Sequence, residues 1–235
     1  MQALILAGGR GTRLGDLTHK TPKPMVDVGG KPFLEWLLEL LLRHKICDFI
    51  FCVGHLSEKI IKHFGNGEKW GCRIQYSVEG KLLGTGGAIK KASGLIRDSF
   101  FVFSGDNYLP LNYTAFMKLF ELKRPLGLLA CWHNDPPLFR SNILLDLDSK
   151  KIEAYDFHND SDKNYVDMGV KLFSTKLLTY FPPQDSFSLE IDVMGRLAEE
   201  GLLTGFPVNN PALDVGTPEM LELTRRQLRQ APEFI

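Results

Sequence analysis

Five apolar residues, Ala3-Leu4-Ile5-Leu6-Ala7, run without a break into Gly8-Gly9-Arg10-Gly11-Thr12-Arg13-Leu14. A short apolar run that halts at glycines predicts a strand covered on both faces, followed by a turn in which bare backbone can approach a ligand. Successive N–H groups in such a turn can point at phosphate oxygens. Arg13 adds a planar cationic fork, and Lys23, held between Pro22 and Pro24, adds a point charge. Together these groups predict a polyphosphate site. Two familiar phosphate motifs do not fit it. A dinucleotide fingerprint would need glycine where Leu14 stands, and a Walker A loop would need Gly-Lys-Ser/Thr where Gly8 is followed by Arg13-Leu14.

The same strand reading recurs at Asp48 to Gly54 and Phe100 to Gly105, and a further strand is expected from about Arg73 to Glu79. Helical spacing separates these runs. Pro32 to Arg43 carries too many apolar positions for one narrow face and predicts a helix buried on more than one side. Ser57 predicts the N-cap of a helix that stops at Gly65, and another helix is expected over Ala88 to Ile96 after a glycine-rich turn. Strands alternating with helices predict right-handed βαβ units. The expected class is α/β: a three-layer, doubly wound, Rossmann-like fold with a mixed, mainly parallel sheet.

The second half differs. Asn142 to Leu147 and Lys151 to Phe157, joined by Asp148-Ser149-Lys150, predict a hairpin, and Tyr165 to Ser174 a further strand. Helices are expected over Glu190 to Glu200, stopped by Gly201, and over Glu219 to Gln230. A chain of 235 residues can bury one sizeable core. The expectation is therefore a single domain over 1–235, with a boundary near residue 110 that separates functions rather than independently folding units.

Charge narrows the partners. With 28 basic residues against 28 acidic, no summed field draws the chain onto a nucleic acid or an anionic membrane. The longest apolar stretch, Leu37 to Leu42, is interrupted by Glu39 and is far short of the roughly 20 residues that span a bilayer. No nucleic-acid or membrane partner is expected. The N-terminus shows neither a basic region nor a small-residue cleavage site. Cys47, Cys52, Cys72 and Cys131 form no Cys-x-x-Cys pair and have no His at metal-ligand spacing, which predicts reduced thiols and a cytoplasmic protein. The leucine-rich Phe33 to Leu42 segment suits either a core or a contact between copies, which leaves a homo-oligomer open.

Gly8-Gly9-x-Gly11-Thr12-Arg13-Leu14, Leu17-Thr18, Pro22-Lys23-Pro24-Met25 and Gly30-Lys31-Pro32 follow one another in that order. They are joined by Leu83-Gly84-Thr85-Gly86-Gly87-Ala88, by Gly105-Asp106 and by Asp214-x-Gly216-Thr217-Pro218. This series resembles the sugar-1-phosphate nucleotidylyltransferase family over nearly the whole chain, most closely its heptose-1-phosphate and mannose-1-phosphate guanylyltransferases.

The resemblance implies transfer of a nucleoside monophosphate from an NTP to a sugar 1-phosphate, with release of pyrophosphate. It implies that Arg13 steadies the leaving pyrophosphate, that Lys23 bridges phosphates, and that Asp106 and Asp214 bind Mg²⁺. Leu6, Ala7, Gly8, Gly9, Gly11 and Thr12, with Gly84, Thr85 and Gly86, are expected around the nucleotide. Glu79 suits the N1–H and amino donors of guanine, though it also reads as a solvated charge at a strand end. On the sugar, the resemblance implies Asp167, Gly169 and Glu190.

Where the family commonly has Glu-Lys-Pro, with its Lys on the sugar phosphate, this chain reads Phe157-His158-Asn159-Asp160-Ser161-Asp162-Lys163-Asn164. Lys171 or Lys163 is left as the substitute. Thymidylyl, cytidylyl or uridylyl transfer to glucose 1-phosphate stays open, as does a silent homologue that binds a sugar nucleotide and regulates a partner.

Overall fold

The computed structural model describes residues 1–135, 137–159 and 162–230. In chain order the first elements are β1 (Gln2–Ala7), β2 (Asp27–Val28), β3 (Lys31–Pro32), α1 (Phe33–Arg43), β4 (Asp48–Val53), α2 (Ser57–Phe64), β5 (Arg73–Val78) and α3 (Gly84–Ala92). β6 (Phe100–Ser104), β7 (Asn107–Tyr108), α4 (Tyr113–Lys123), β8 (Gly127–His133), β9 (Ile143–Leu145), β10 (Ile152–Tyr155) and β11 (Tyr165–Phe173) follow. The chain closes with α5 (Leu189–Asp192), α6 (Met194–Glu199), β12 (Leu203–Val208), β13 (Leu213–Asp214) and α7 (Pro218–Gln230).

The chain divides into two compact units. Among the described residues, one comprises 1–82, 103–110 and 212–230, and the other those within 83–102 and 111–211. In the first unit β4 pairs in parallel with β1 on one side and β5 on the other, Phe51 standing opposite both Ile5 and Tyr76. Nearly every residue of β1 and β4 is buried, as a strand with two covered faces requires. α1 buries Phe33, Leu34, Trp36, Leu37, Leu38, Leu40 and Leu41, so it is enclosed on more than one side as its composition predicted.

In the second unit β8 pairs in parallel with β12 and antiparallel with β11, and β9 joins β11 to β10 antiparallel. Its core is aromatic: Phe101 stacks on Phe116 with centroids 5.9 Å apart, and Phe206 meets Phe116 edge to face. The class is therefore α/β, a mixed, mainly parallel sheet with flanking helices. Among the described residues no helix is long and apolar enough to cross a membrane.

Several local expectations change. α2 begins at Ser57 itself, and Leu56, at φ 54°, takes the cap position. α3 starts at Gly84, inside the stretch read as a turn. The helix expected over Glu190 to Glu200 is two short helices broken at Val193, where φ is −127°. α4, β8 and β12 carry no expectation from the sequence. Of the stretch standing where Glu-Lys-Pro would be, Asp160 and Ser161 lie outside the described residues, as do residues 231–235.

Candidate active site

In the first unit the glycine loop leaves the buried end of β1. Gly11 adopts φ 65°, and a side chain there would meet the Lys23 Cβ at 2.9 Å and the Thr18 Cγ2 at 3.0 Å. Glycine is thus required both by backbone angle and by the close passage of Lys23. The Thr18 hydroxyl donates to the Gly11 carbonyl at 3.1 Å and fixes the loop from below. Beyond Gly11 a 3₁₀ turn from Thr12 to Thr18 leaves Thr12 and Arg13 exposed.

Lys23 is buried to 8% exposure, and its ammonium is ion-paired with the Asp106 carboxylate. Asp106 follows β6, and β7 pairs antiparallel with β13, setting Asp214 opposite Asn107. The Val215 N–H donates to the Asp106 carbonyl at 3.2 Å, and the Gly216 N–H to Asp214 Oδ1 at 2.5 Å.

Gly216 marks the convergence. A Cβ on it would lie 2.8 Å from Asp214 Oδ1, 3.6 Å from an Arg13 guanidinium nitrogen and 3.7 Å from the Lys23 ammonium. Arg13, Lys23 and Asp214 therefore surround one point beside bare backbone, with Asp106 held against Lys23. Burial raises the Asp214 carboxyl above the usual range and the Asp106 charge adds to the rise, while the Gly216 N–H, Lys23 and Arg13 oppose it. Among the described residues no three His, Cys, Asp or Glu side chains cluster as a metal cage. Two carboxylates are instead a donor set that Mg²⁺ takes when phosphate oxygens and waters complete its shell.

The same unit holds a cleft lined by Gly8, Arg10, Gly54, His55, Glu79 and Lys81, among others. A Cβ on Gly8 would lie 2.7 Å from Glu79 Oε1, so the carboxylate stands directly over the first glycine. The Leu6 carbonyl accepts from the Gly105 N–H at 2.9 Å, Ala7 is buried, and Gly9 is open to solvent.

The second unit gathers the remaining candidates. The pairing of β11 with β8 slips between Asp167 and Lys171, at a bulge where Gly169 has φ 76°. The slip brings the Lys171 ammonium to 2.9 Å from Asp167 Oδ2 and 3.5 Å from Glu190 Oε1. The Tyr155 hydroxyl donates to the same Asp167 oxygen at 2.8 Å, and the Thr85 hydroxyl donates to Glu190. Burial alone would push the Lys171 ammonium down, but Asp167 and Glu190 outweigh it and raise it overall. Its charge is committed to two carboxylates.

Gly84, Thr85 and Gly86 also serve this unit. The N–H groups of Gly86 and Gly87 donate to the Phe187 carbonyl at 3.1 and 3.2 Å, and the Leu189 N–H donates to the Thr85 hydroxyl at 2.9 Å. The free amides at the start of α3 thus hold the segment that carries Glu190.

Comparison with known proteins settles the lineage. A family model described as nucleotidyl transferase matches residues 2–230. The chain belongs to the nucleotidyl transferase family. It is 31% identical over 218 residues to UTP–glucose-1-phosphate uridylyltransferase of Synechocystis sp., a match that covers 86% of this chain and 56% of that protein. It is 32% identical over 191 residues to D-glycero-alpha-D-manno-heptose 1-phosphate guanylyltransferase of Campylobacter jejuni, covering 81% of this chain and 83% of that protein. The chain thus spans little more than half the length of the first relative. Among solved structures, HddC from Yersinia pseudotuberculosis complexed with GMP-PN matches with a TM-score of 0.82 at 27% identity, over 97% of this chain and 99% of that one.

In this nucleotidyl transferase the structure draws Arg13, Lys23, Asp106 and Asp214 together in one unit, and Asp167, Lys171, Glu190 and Thr85 together in the other. The sequence reading passed over His55, Lys81 and Arg10 in the cleft and Tyr155 under Asp167. Arg10 lay inside the glycine motif and was legible there. Tyr155 gave no signal, because an aromatic residue in a strand ordinarily means packing.

Proposed function

We propose that the protein is a sugar-1-phosphate nucleotidylyltransferase that transfers NMP from an NTP to a sugar 1-phosphate and releases pyrophosphate. The observation that carries this reading is the convergence of Arg13, Lys23 and Asp214 on Gly216, with Asp106 against Lys23. A sugar phosphate has its second pKa near about 6, so it is mostly dianionic at neutral pH and needs no general base. The task is to bring two anions together and to neutralise charge on the leaving pyrophosphate. Arg13, exposed at the loop, takes the leaving phosphates, and Lys23 sits nearer the reacting phosphorus. Asp106 and Asp214 would hold Mg²⁺, which when bound neutralises phosphate charge.

In the finer reading the substrates are GTP and a heptose or mannose 1-phosphate. Glu79 in the cleft supports guanine, since a carboxylate accepts from its N1–H and amino group, and so do the guanylyltransferase relative and the HddC complex. In the second unit Glu190 and Asp167 supply acceptors for sugar hydroxyls. The uridylyltransferase relative favours a second reading, UTP with glucose 1-phosphate.

Purified protein with Mg²⁺, each of the common NTPs and a panel of sugar 1-phosphates separates these readings by pyrophosphate release. GTP with a heptose or mannose 1-phosphate is expected to turn over fastest, and UTP with glucose 1-phosphate as the best pair would replace the finer reading. Asp106→Asn is expected to abolish turnover. An unchanged rate in that variant would remove Asp106 from the metal site, and no pyrophosphate from any pair would sink the transferase reading.

A further inference from the structure

β4 and β5 run parallel with Asp48 opposite Arg73, Phe49 opposite Ile74 and Phe51 opposite Tyr76. Side chains alternate between faces along a strand, and partners across a parallel pair share a face. The row holding Phe51 and Tyr76 does share one: their rings meet edge to face with centroids 5.9 Å apart. Two residues back along each strand stand Phe49 and Ile74, and two further back, one residue ahead of each strand, stand Cys47 and Cys72. The ladder begins beside them, where the Arg73 N–H donates to the Cys47 carbonyl at 2.9 Å.

Neighbouring strands stand about 4.7 to 4.9 Å apart. That spacing falls within the roughly 4.4 to 6.8 Å between Cα atoms that a disulfide spans. Exposure sorts the four cysteines in the same way: Cys47 is exposed and Cys72 half-buried, whereas Cys52 and Cys131 are fully buried.

We propose that Cys47 and Cys72 form an intramolecular disulfide site, responsive to hydroperoxides, that ties the start of β4 to the start of β5. Burial, with the neighbouring Cys47 adding to it, pushes the Cys72 thiol up to about 11, so Cys72 stays protonated, and the exposed Cys47 is the sulfur that meets the peroxide first. The Cys47 sulfur attacks one peroxide oxygen and the O–O bond breaks. Cys47 becomes a sulfenic acid, and the other oxygen leaves as water after taking up a proton. The Cys72 sulfur then displaces hydroxide from the Cys47 sulfur, and that hydroxide leaves as a second water with the Cys72 proton. Two thiols are oxidised and one hydrogen peroxide is reduced to two waters. The closed loop includes α2 and the Gly54 and His55 of the cleft.

The test treats the whole reduced protein with hydrogen peroxide, follows intact mass, and maps the peptides without reduction. The expected result is loss of two hydrogens, a single cross-linked peptide pair joining Cys47 to Cys72, and full reversal by a dithiol. The oxidised protein should melt on the order of 5 °C above the reduced form. Cys72→Ser, with its folding checked by circular dichroism, should instead accumulate a Cys47 sulfenic acid that dimedone traps. Oxygen added at Cys47 while Cys72 stays alkylatable in the wild type would overturn the proposal, as would a product linked only between molecules. Both readouts need only the wild-type chain, so a poorly folding variant does not weaken the test.

Discussion

A buried lysine is costly unless an anion meets it, and Lys23 meets Asp106 from beneath the glycine loop. Arg13, exposed at the same point, faces the Asp214 charge instead. Lys23→Met should lower kcat/KM by about 10² to 10³, the cost of deleting one preorganised charge, with little change in far-UV circular dichroism. An unaltered kcat/KM would make Lys23 structural only. Lys171 makes the opposite case. Its raised value means that its stabilisation is complete below the ordinary 10.5 and is lost only as pH climbs through the higher folded value. The stability gap between wild type and Lys171→Met, about 3 to 5 kcal/mol for a broken buried pair, should be flat through neutral pH and narrow only in strong alkali. Denaturant melts across pH would show it, and a gap that narrows already near pH 8 would contradict it. These residues were unequally legible. Arg13, Lys23 and Asp106 carry recognisable neighbours, but Lys171 in an apolar run reads as an outward strand charge, and only the bulge at Gly169 turns it inward.

At the scale of elements, α3 shows why a glycine run misled the reading. Glycines suggest a turn, yet Gly84 already opens a helix, because Gly86 and Gly87 find an acceptor for their amides in the distant Phe187 carbonyl. No local pattern encodes a partner a hundred residues away. Six positions along the helix from Gly84, Lys90 donates to the carbonyls of Pro182, Pro183 and Gln184 at 3.0, 2.8 and 3.0 Å. It fastens the segment that leads to Glu190. Lys90→Met should cost on the order of 2 kcal/mol of stability. It should also raise KM for the sugar 1-phosphate several-fold while leaving KM for the NTP near wild type. Steady-state kinetics with each substrate varied would reveal an equal rise in both, which would remove Lys90 from that positioning role. β1, β4 and α1 were readable because burial on both faces or all round writes a dense apolar signal. α5 and α6 were merged because Glu190 to Glu200 keeps helical spacing through Val193, whose backbone break has no residue-type signature.

At the scale of the molecule, Arg13, Lys23, the cleft and the paired carboxylates all reside in the unit made of the described residues 1–82, 103–110 and 212–230. Ligand that binds only the folded state stabilises it by about 2.7 kcal/mol at a hundredfold excess over Kd, several degrees for a chain this size. With Mg²⁺ present, GTP should raise the melting temperature more than UTP at equal concentration. The reverse order in a thermal-shift series would favour the uridylyl reading. That unit is also assembled from three separate stretches of sequence. Arg13 and Lys23 come from the first, Asp106 from the second and Asp214 from the third. The two acidic groups are therefore neighbours only once Leu213-Asp214 has paired back onto Asn107-Tyr108, so a chain in which that short ladder has not zipped keeps its cationic loop and has lost one of its two carboxylates.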